Sequence, residues 1–490
     1  MKSNNLSLKS LAILNENIEQ PSYKSIDDAN KILHIGVGNF HRSHQAYYLH
    51  QILQNSDSLW RIYGAGLMPN DIKMKESLEK QDYLYTLVAQ ESESEKVTVI
   101  GSICDFMHIP TEFDKFISFF TSEELKIVTL TVTEKGYNNT TDWDLDITSE
   151  KIQHDLNHPN EIPVTAIGLL AYGLKKRMQK NAPPITIMTC DNIPQNGEVL
   201  KTMINKFVNN TGDIKLEQYI EIFVKFPSSM VDRITPITTE EKKTYLENKY
   251  NIKDSVPVFS EDYIQWIIED DFNVERPEWE SVGVQIVDDV KPYELMKTRL
   301  LNGGHTALAF PSLLSGFVFV DDAMKSTSIS NFVRCYMNEI KNTLEPVDGV
   351  DYDSYIDDLI KRFSNPAIKD RLLRLAEDTS SKFLNFIVSP LMILLEKGEE
   401  VPMITYVLAS WIIFLNNSIS DKSYELKDPR LDLIQDAASK SLVDATAFLS
   451  LKEIFPEEIL KYNNFITNLN TKIKNILELG ISNTIPNNLN

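Results

Sequence analysis

One stretch near the amino terminus restricts the fold more than any other. Ile32-Leu-His-Ile-Gly-Val-Gly-Asn-Phe-His41 is a short apolar run that ends in two glycines, Gly36 and Gly38, separated by one residue. From Arg42 to Gln54 the apolar side chains Ala46, Leu49, Ile52 and Leu53 recur at helical spacing. Strand, tight turn and helix in that order open a dinucleotide-binding α/β fold. In such a unit Gly36 permits the turn, Gly38 lets backbone approach a pyrophosphate, and the start of the helix offers oriented N–H groups. The third glycine of the usual fingerprint is missing, and His41 stands in its place.

Later segments extend the same plan. Trp60 to Asp71 reads as a second strand followed by an acid, and a carboxylate at Asp71 suits the adenosine ribose of NAD and repels the extra phosphate of NADP. Lys96–Gly101 and the β-branched run Leu125–Thr133 read as further strands, the latter leading into Glu134-Lys-Gly136-Tyr137. Leu156–Lys180 reads as a helix, and Pro184–Cys190 as a buried strand that empties into Asp191-Asn192. In open α/β sheets ligands sit beyond the carboxyl ends of strands, so Glu134 to Tyr137 and Asn192 become candidate pocket residues, with solvated turns as the alternative. Val224–Pro236 is another strand-to-loop passage and carries Asp232, for which a local ion pair with Arg233 is the alternative role. Val258–Phe272 and Ser281–Val290 complete this part of the chain.

From Lys291 onward long helical patterns replace the glycine turns, which divides the chain into residues 1–290, an α/β domain, and residues 291–490, a mainly helical one. The length of 490 residues requires such a division. The join, Lys291 to His305, holds Glu294, Lys297, Asn302 and His305. On an α-helix, about 100° per residue puts Glu294 about 60°, His305 about 80° and Asn302 about 140° from Lys297, a single polar face. The alternative is a solvated face that ends where Gly303-Gly304 stops the helix. Three chemistries compete for this stretch. A catalytic zinc is disfavoured, because His41 and His44 have no obvious third partner. A tyrosine base with a lysine four residues on fits Tyr293 and Lys297, but also Tyr245 and Lys249, and Tyr172 and Lys176. In the third, Lys297 itself moves the proton of an alcohol, Asn192 and Asn302 donate to the oxygen, His305 orients the amine and Glu294 relays to solvent.

Composition narrows the partners. A net charge of −21 argues against nucleic acid and anionic membranes. Cys104, Cys190 and Cys335 are scattered and odd in number, which fits a reducing compartment, and no signal-type apolar segment follows the amino terminus, so the expected location is the cytoplasm. The apolar run Ile404–Leu415 is too short to span a bilayer and reads as a buried helix.

Taken together these motifs resemble the polyol-specific long-chain dehydrogenases, the mannitol dehydrogenase family. The likeness runs in order through His34–Gln45, Gln81–Thr86, Leu130–Tyr137, Cys190-Asp-Asn192, Phe226–Arg233, Gln265–Asp270 and Tyr293 to His305. The resemblance implies a Rossmann-type amino-terminal domain, a mainly α-helical carboxy-terminal domain, NAD as cofactor, no metal, and a polyol or ketose as substrate; a monomer is an open expectation that the sequence itself does not give. It implies Lys297 as catalytic base or acid, Asn192 and Asn302 as oxyanion donors, His305 in support and Glu294 as proton relay. Asp232, Arg374 and Lys382 fall on substrate-binding positions, where ion pairs of Arg374 and Lys382 with Glu377 and Asp378 are the alternative. Cofactor contacts fall to Gly36, Gly38, Asn39, Phe40, His41, Asp71, Glu134 and Gly136. The expected reaction is oxidation of D-mannitol at C2 to D-fructose. A hexuronate reductase acting on fructuronate or tagaturonate, a D-arabinitol dehydrogenase and a non-catalytic nucleotide sensor are the alternatives. Asn70 stands where some relatives have a second acid, and Thr379 where glycine is usual.

Overall fold

A computed structural model describes residues 4–23, 30–140, 143–347, 349–421 and 426–486. The chain forms two compact units, Met1–Lys291 and Pro292–Asn490.

The first unit is built on six parallel strands, β1 (Asn30–Ile35), β2 (Trp60–Gly66), β3 (Ile103–His108), β4 (Leu125–Leu130), β5 (Ile185–Thr189) and β6 (Val224–Lys225). Their spatial order is β3-β2-β1-β4-β5-β6, every neighbouring pair parallel. This is the dinucleotide-binding order, in which the chain reverses direction between β1 and β4 and leaves a crevice at their carboxyl ends. β4 and β5 are buried along nearly their whole length, as expected of strands rich in β-branched and apolar residues and covered on both faces.

Several elements differ from the sequence reading. Leu156–Lys180 is two helices, Glu150–Asn157 and Ala166–Lys180, because Pro159 and Pro163 interrupt the pattern. The segment after Gly38 is likewise two helices, Asn39–Ser43 and Gln45–Asn55, broken at His44. Strand Glu95–Ile100 lies outside the main sheet, in a three-stranded sheet with Tyr85–Gln90 and Val258–Glu261. Strand β3 has no counterpart in the sequence reading, since Cys104 and Asp105 break its apolar run.

The second unit is helical, and among its described residues the only β pairing is an isolated bridge between Phe319 and Arg371. Its core surrounds helix Pro402–Ser420, longer than the expected Ile404–Leu415 and buried from Met403 through Leu415. By length and apolar content this helix could cross a membrane, but 78% of its apolar window is buried inside the structure. Pro402 has no N–H, and the next two amide groups, of Met403 and Ile404, donate to the Glu339 carboxylate at 3.0 and 2.9 Å. A buried acid from helix Thr327–Lys341 thus caps the central helix. Burial raises the Glu339 pKa to about 7, against the pull of those two amides.

Candidate active site

In the first unit the glycine turn lies at the switch point. Gly36 has φ +94°, and a Cβ there would stand 2.2 Å from the Thr131 carbonyl oxygen at the end of β4. Only glycine closes this turn. The Gly36 carbonyl accepts from the Gly38 amide at 2.7 Å and from the Thr131 hydroxyl at 2.7 Å. Gly38 is exposed, and a Cβ there would meet nothing closer than 3.9 Å, so its open side is the side from which a pyrophosphate can approach. The Asn39 side chain accepts from Arg42 at 2.7 Å and donates to the Pro236 carbonyl at 3.4 Å, and Phe40 stacks on His44.

His41 is enclosed. Its ring is fully buried and stacked on His34, with centroids 3.4 Å apart, and neither ring nitrogen has a hydrogen-bond partner in the structure. Burial holds it well below the usual histidine range and pushes His34 down to about 3, so both rings are neutral near pH 7. The side chain at the third fingerprint position therefore packs beneath the turn.

The distance of Asp71 from the strand is resolved by a 3-10 turn, Pro69–Asp71, which folds the acid back over the end of β2. A Cβ on Gly66 would lie 2.3 Å from the Asp71 Cβ, and Asp71 Oδ2 accepts from the Met68 amide at 2.8 Å. The carboxylate thus stands at the carboxyl end of β2, where a ribose-binding acid belongs.

Glu134 and Gly136 lie on a 3-10 turn, Glu134–Tyr137, with Glu134 exposed. Asn192, also exposed, follows β5. Asn196 fixes its loop, donating to the carbonyls of Asp191 at 3.1 Å and Ser229 at 2.7 Å and accepting from the Ser229 amide at 2.9 Å. Ser229 opens strand Ser229–Asp232, so the Asn192 loop and the strand that carries Asp232 are tied together. The Arg233 guanidinium donates to the carbonyls of Glu261 and Ser43, at 3.0 and 2.5 Å.

In the second unit the organising stretch is helical but not uniformly α. Lys291–Met296 is α, Lys297–Asn302 is π, and Gly303–Leu314 is α again. The wider π turn changes the angular offsets beyond Lys297 from those of a plain α-helix, and such turns are frequent at functional sites. Lys297 is 8% exposed. Glu294, Asn302 and His305 are half-buried, and the His305 ring stacks on Phe363 at 4.2 Å. The helix runs through Gly303-Gly304, so the alternative reading, a solvated face stopped there, does not hold. Cβ atoms there would lie 2.6 Å from the Tyr336 hydroxyl and 2.5 Å from the Met337 Cε, so both glycines allow close packing on helix Thr327–Lys341.

Arg374 makes a two-point ion pair with Asp370, donating through Nε at 2.7 Å and also through Nη2. That acid, not Asp378 or Glu377, is its partner. Lys382 donates to the Glu377 carbonyl at 2.7 Å. Thr379 is buried, its hydroxyl donating to the Ala376 carbonyl at 2.6 Å, and Asp378 before it is left-handed, φ +52°. Among the described residues no three His, Cys, Asp or Glu side chains form a group that could hold a metal ion.

Two family models account for most of the sequence. Residues 30–281 match the mannitol dehydrogenase Rossmann domain, and residues 289–477 match the mannitol dehydrogenase C-terminal domain. The chain belongs to the mannitol dehydrogenase family. It is 36% identical to mannitol dehydrogenase 2 of Saccharomyces cerevisiae over 97% of this chain and 95% of the relative. It is similar to the mannitol 2-dehydrogenase of Pseudomonas fluorescens, solved as a ternary complex with NAD and D-mannitol. The TM-score there is 0.84 and the identity 36%, over 98% of this chain and 99% of the other. A D-sorbitol dehydrogenase in substrate-free form is also similar, with TM-score 0.91 and 32% identity over 98% and 100%. Within this mannitol dehydrogenase family member, sequence reasoning passed over Asp191 and Thr133. The available signal was an acid separated by one residue from the end of a fully buried strand.

Proposed function

We propose that this chain catalyses the NAD-dependent, reversible oxidation of D-mannitol at C2 to D-fructose. The observation that carries the proposal is the full-length likeness to a mannitol 2-dehydrogenase that binds NAD and D-mannitol. The Gly36 turn, the open face of Gly38 and the returned Asp71 carboxylate fit a dinucleotide with a free 2'-hydroxyl. Bound NAD supplies the acceptor for the hydride that leaves C2.

The chain's own residues handle the proton. Lys297, buried on the π turn, accepts the proton of the C2 hydroxyl as the carbonyl forms, and returns it in the reverse direction. The carboxamides of Asn192 and Asn302 donate to the oxygen while it carries partial charge. His305, held by Phe363, orients the amine, and Glu294, one helical turn before Lys297, passes the proton to solvent. Asp232, Arg374 and Lys382 bind the remaining hydroxyls, Arg374 by sharing donors that Asp370 holds. The expected assembly is a monomer, and three free thiols suit a cytoplasmic location.

A second substrate has support in the TM-score of 0.91 to a D-sorbitol dehydrogenase. The test is initial-rate measurement of NAD reduction with D-mannitol, D-sorbitol and D-arabinitol, and of NADH oxidation with D-fructose, fructuronate and tagaturonate. D-Mannitol and D-fructose are expected to be the best pair, and Lys297→Ala is expected to lower kcat by about 10²–10⁴-fold. A higher kcat/KM for D-sorbitol or a uronate would reassign the substrate. Full activity in Lys297→Ala would remove lysine from the mechanism.

A further inference from the structure

The loop after β4 holds a backbone conformation that is unusual for its sequence. Thr133 has φ +64° and ψ 160°, a region that β-branched residues almost never occupy and that is essentially confined to glycine. Asn138 at the end of the same loop is left-handed. A conformation of this kind persists only when its surroundings impose it.

The imposing group is Asp191. Its Oδ1 accepts from the Thr133 amide at 3.0 Å, and its Oδ2 accepts from the Val132 amide at 2.9 Å and the Tyr137 hydroxyl at 2.7 Å. These contacts bracket the strained residue on both sides. Tyr137 is fully buried and also touches the Thr189 hydroxyl, which accepts from the Asp191 amide at 3.1 Å. The Asp191 carbonyl accepts from Asn196 and from the Ile193 amide. One 9%-exposed residue therefore joins the loop after β4 to the loop after β5.

We propose that Asp191 is a positioning residue whose carboxylate holds the 131–137 loop in its strained form at the β1/β4 crevice. It thereby sets where Glu134 meets a dinucleotide and fixes the backbone next to Asn192. The proposal rests on the dinucleotide reading above. It explains why a carboxylate is needed at a buried place. The Val132 and Thr133 amides and the hydroxyls of Tyr137 and, at 3.4 Å, Thr189 converge on its two oxygens, and an asparagine would turn its NH2 toward some of those donors. It also explains how a threonine is tolerated at position 133.

The test uses the full chain and three variants, Asp191→Asn, Tyr137→Phe and Asp191→Asn with Thr133→Gly. Amide hydrogen exchange of peptides covering 131–137 is measured without ligand, and NADH affinity by fluorescence titration. Asp191→Asn is expected to speed exchange in this loop by about tenfold or more and to weaken NADH by a similar factor, with far-UV circular dichroism unchanged. Adding Thr133→Gly is expected to recover about threefold or more of the lost affinity, because glycine takes this backbone conformation without strain. A residue needed only for folding would lower the melting temperature and leave affinity per folded molecule unchanged, and that result would overturn the proposal. Unchanged exchange would do the same. Should Asp191→Asn not fold, Tyr137→Phe carries the test, with about threefold faster exchange expected and no change overturning it. If the wild-type chain fails to bind NADH, the dinucleotide reading falls, while the exchange measurement still decides the role of Asp191.

Discussion

Gly36 and Gly38 stand two residues apart in one turn, yet they answer different demands. A methyl group at Gly36 meets the Thr131 carbonyl at 2.2 Å with φ at +94°, whereas one at Gly38 meets nothing within 3.9 Å. Gly36→Ala is therefore expected to destabilise the first unit by about 1–3 kcal/mol. Gly38→Ala should leave the melting temperature within a degree or two, on the order of 0.5 kcal/mol, while weakening NADH about tenfold in fluorescence titrations. Equal effects on stability would mean that Gly38 has no open face. Glu339 makes a prediction of another kind. Its folded pKa of about 7 lies above the ordinary 4.5, so the folded state retains a proton that the unfolded chain has released. Stability from this group is complete below pH 4.5 and is lost as pH rises to 7, at up to about 1.4 kcal/mol per pH unit. Urea denaturation followed by circular dichroism should show this slope in the helical unit. Glu339→Gln should flatten it, and an unchanged slope would assign the pH dependence to another group.

Helix Thr327–Lys341 and the glycines that face it show how an element can be read correctly in kind and wrongly in purpose. The sequence offers a helix that carries Glu294, Lys297, Asn302 and His305 on one face, with a stop at Gly303-Gly304 as the alternative, since glycine commonly ends helices. Packing prevails here because the alternative partners, Tyr336 and Met337, are themselves core residues invisible to local reasoning. Gly303→Ala is expected to lower unfolding free energy by about 1–3 kcal/mol, because the Tyr336 hydroxyl and the Phe386 backbone leave little room. Gly304→Ala crowds the flexible tip of Met337 and meets Phe363 at ordinary contact distance, and with roughly 1 kcal/mol of helix propensity in its favour it should be near neutral. A reversed order would show that these contacts do not set the packing. The π turn at Lys297 was likewise illegible, since no local pattern separates i→i+5 from i→i+4 bonding. The Gly36 turn, β4 and β5 were legible because their chemistry is local. Asp191 was not, because its role depends on donors from Val132, Thr133 and Tyr137, far away in sequence.

At the scale of the whole molecule, the apolar clusters divide as the chain does. Fifty-odd buried residues from Met296 to Ile485 form one cluster, and the remaining three lie entirely before Lys291. Residues 292–490 produced alone should therefore unfold cooperatively with a helical spectrum, and a non-cooperative melt would contradict an independent core. In the full chain, NADH at 100 times its Kd should stabilise the unit that binds it by about 2.7 kcal/mol. That shift should be absent from the isolated helical segment. The chain passes between the units once, at Lys291 and Pro292, so the glycine turn and Asp71 lie on one side of a single peptide junction, with Lys297 on the other. A recombination event at that junction would exchange the lysine-bearing half in one step while preserving the glycine turn and Asp71, so that the two halves can be inherited from different ancestors.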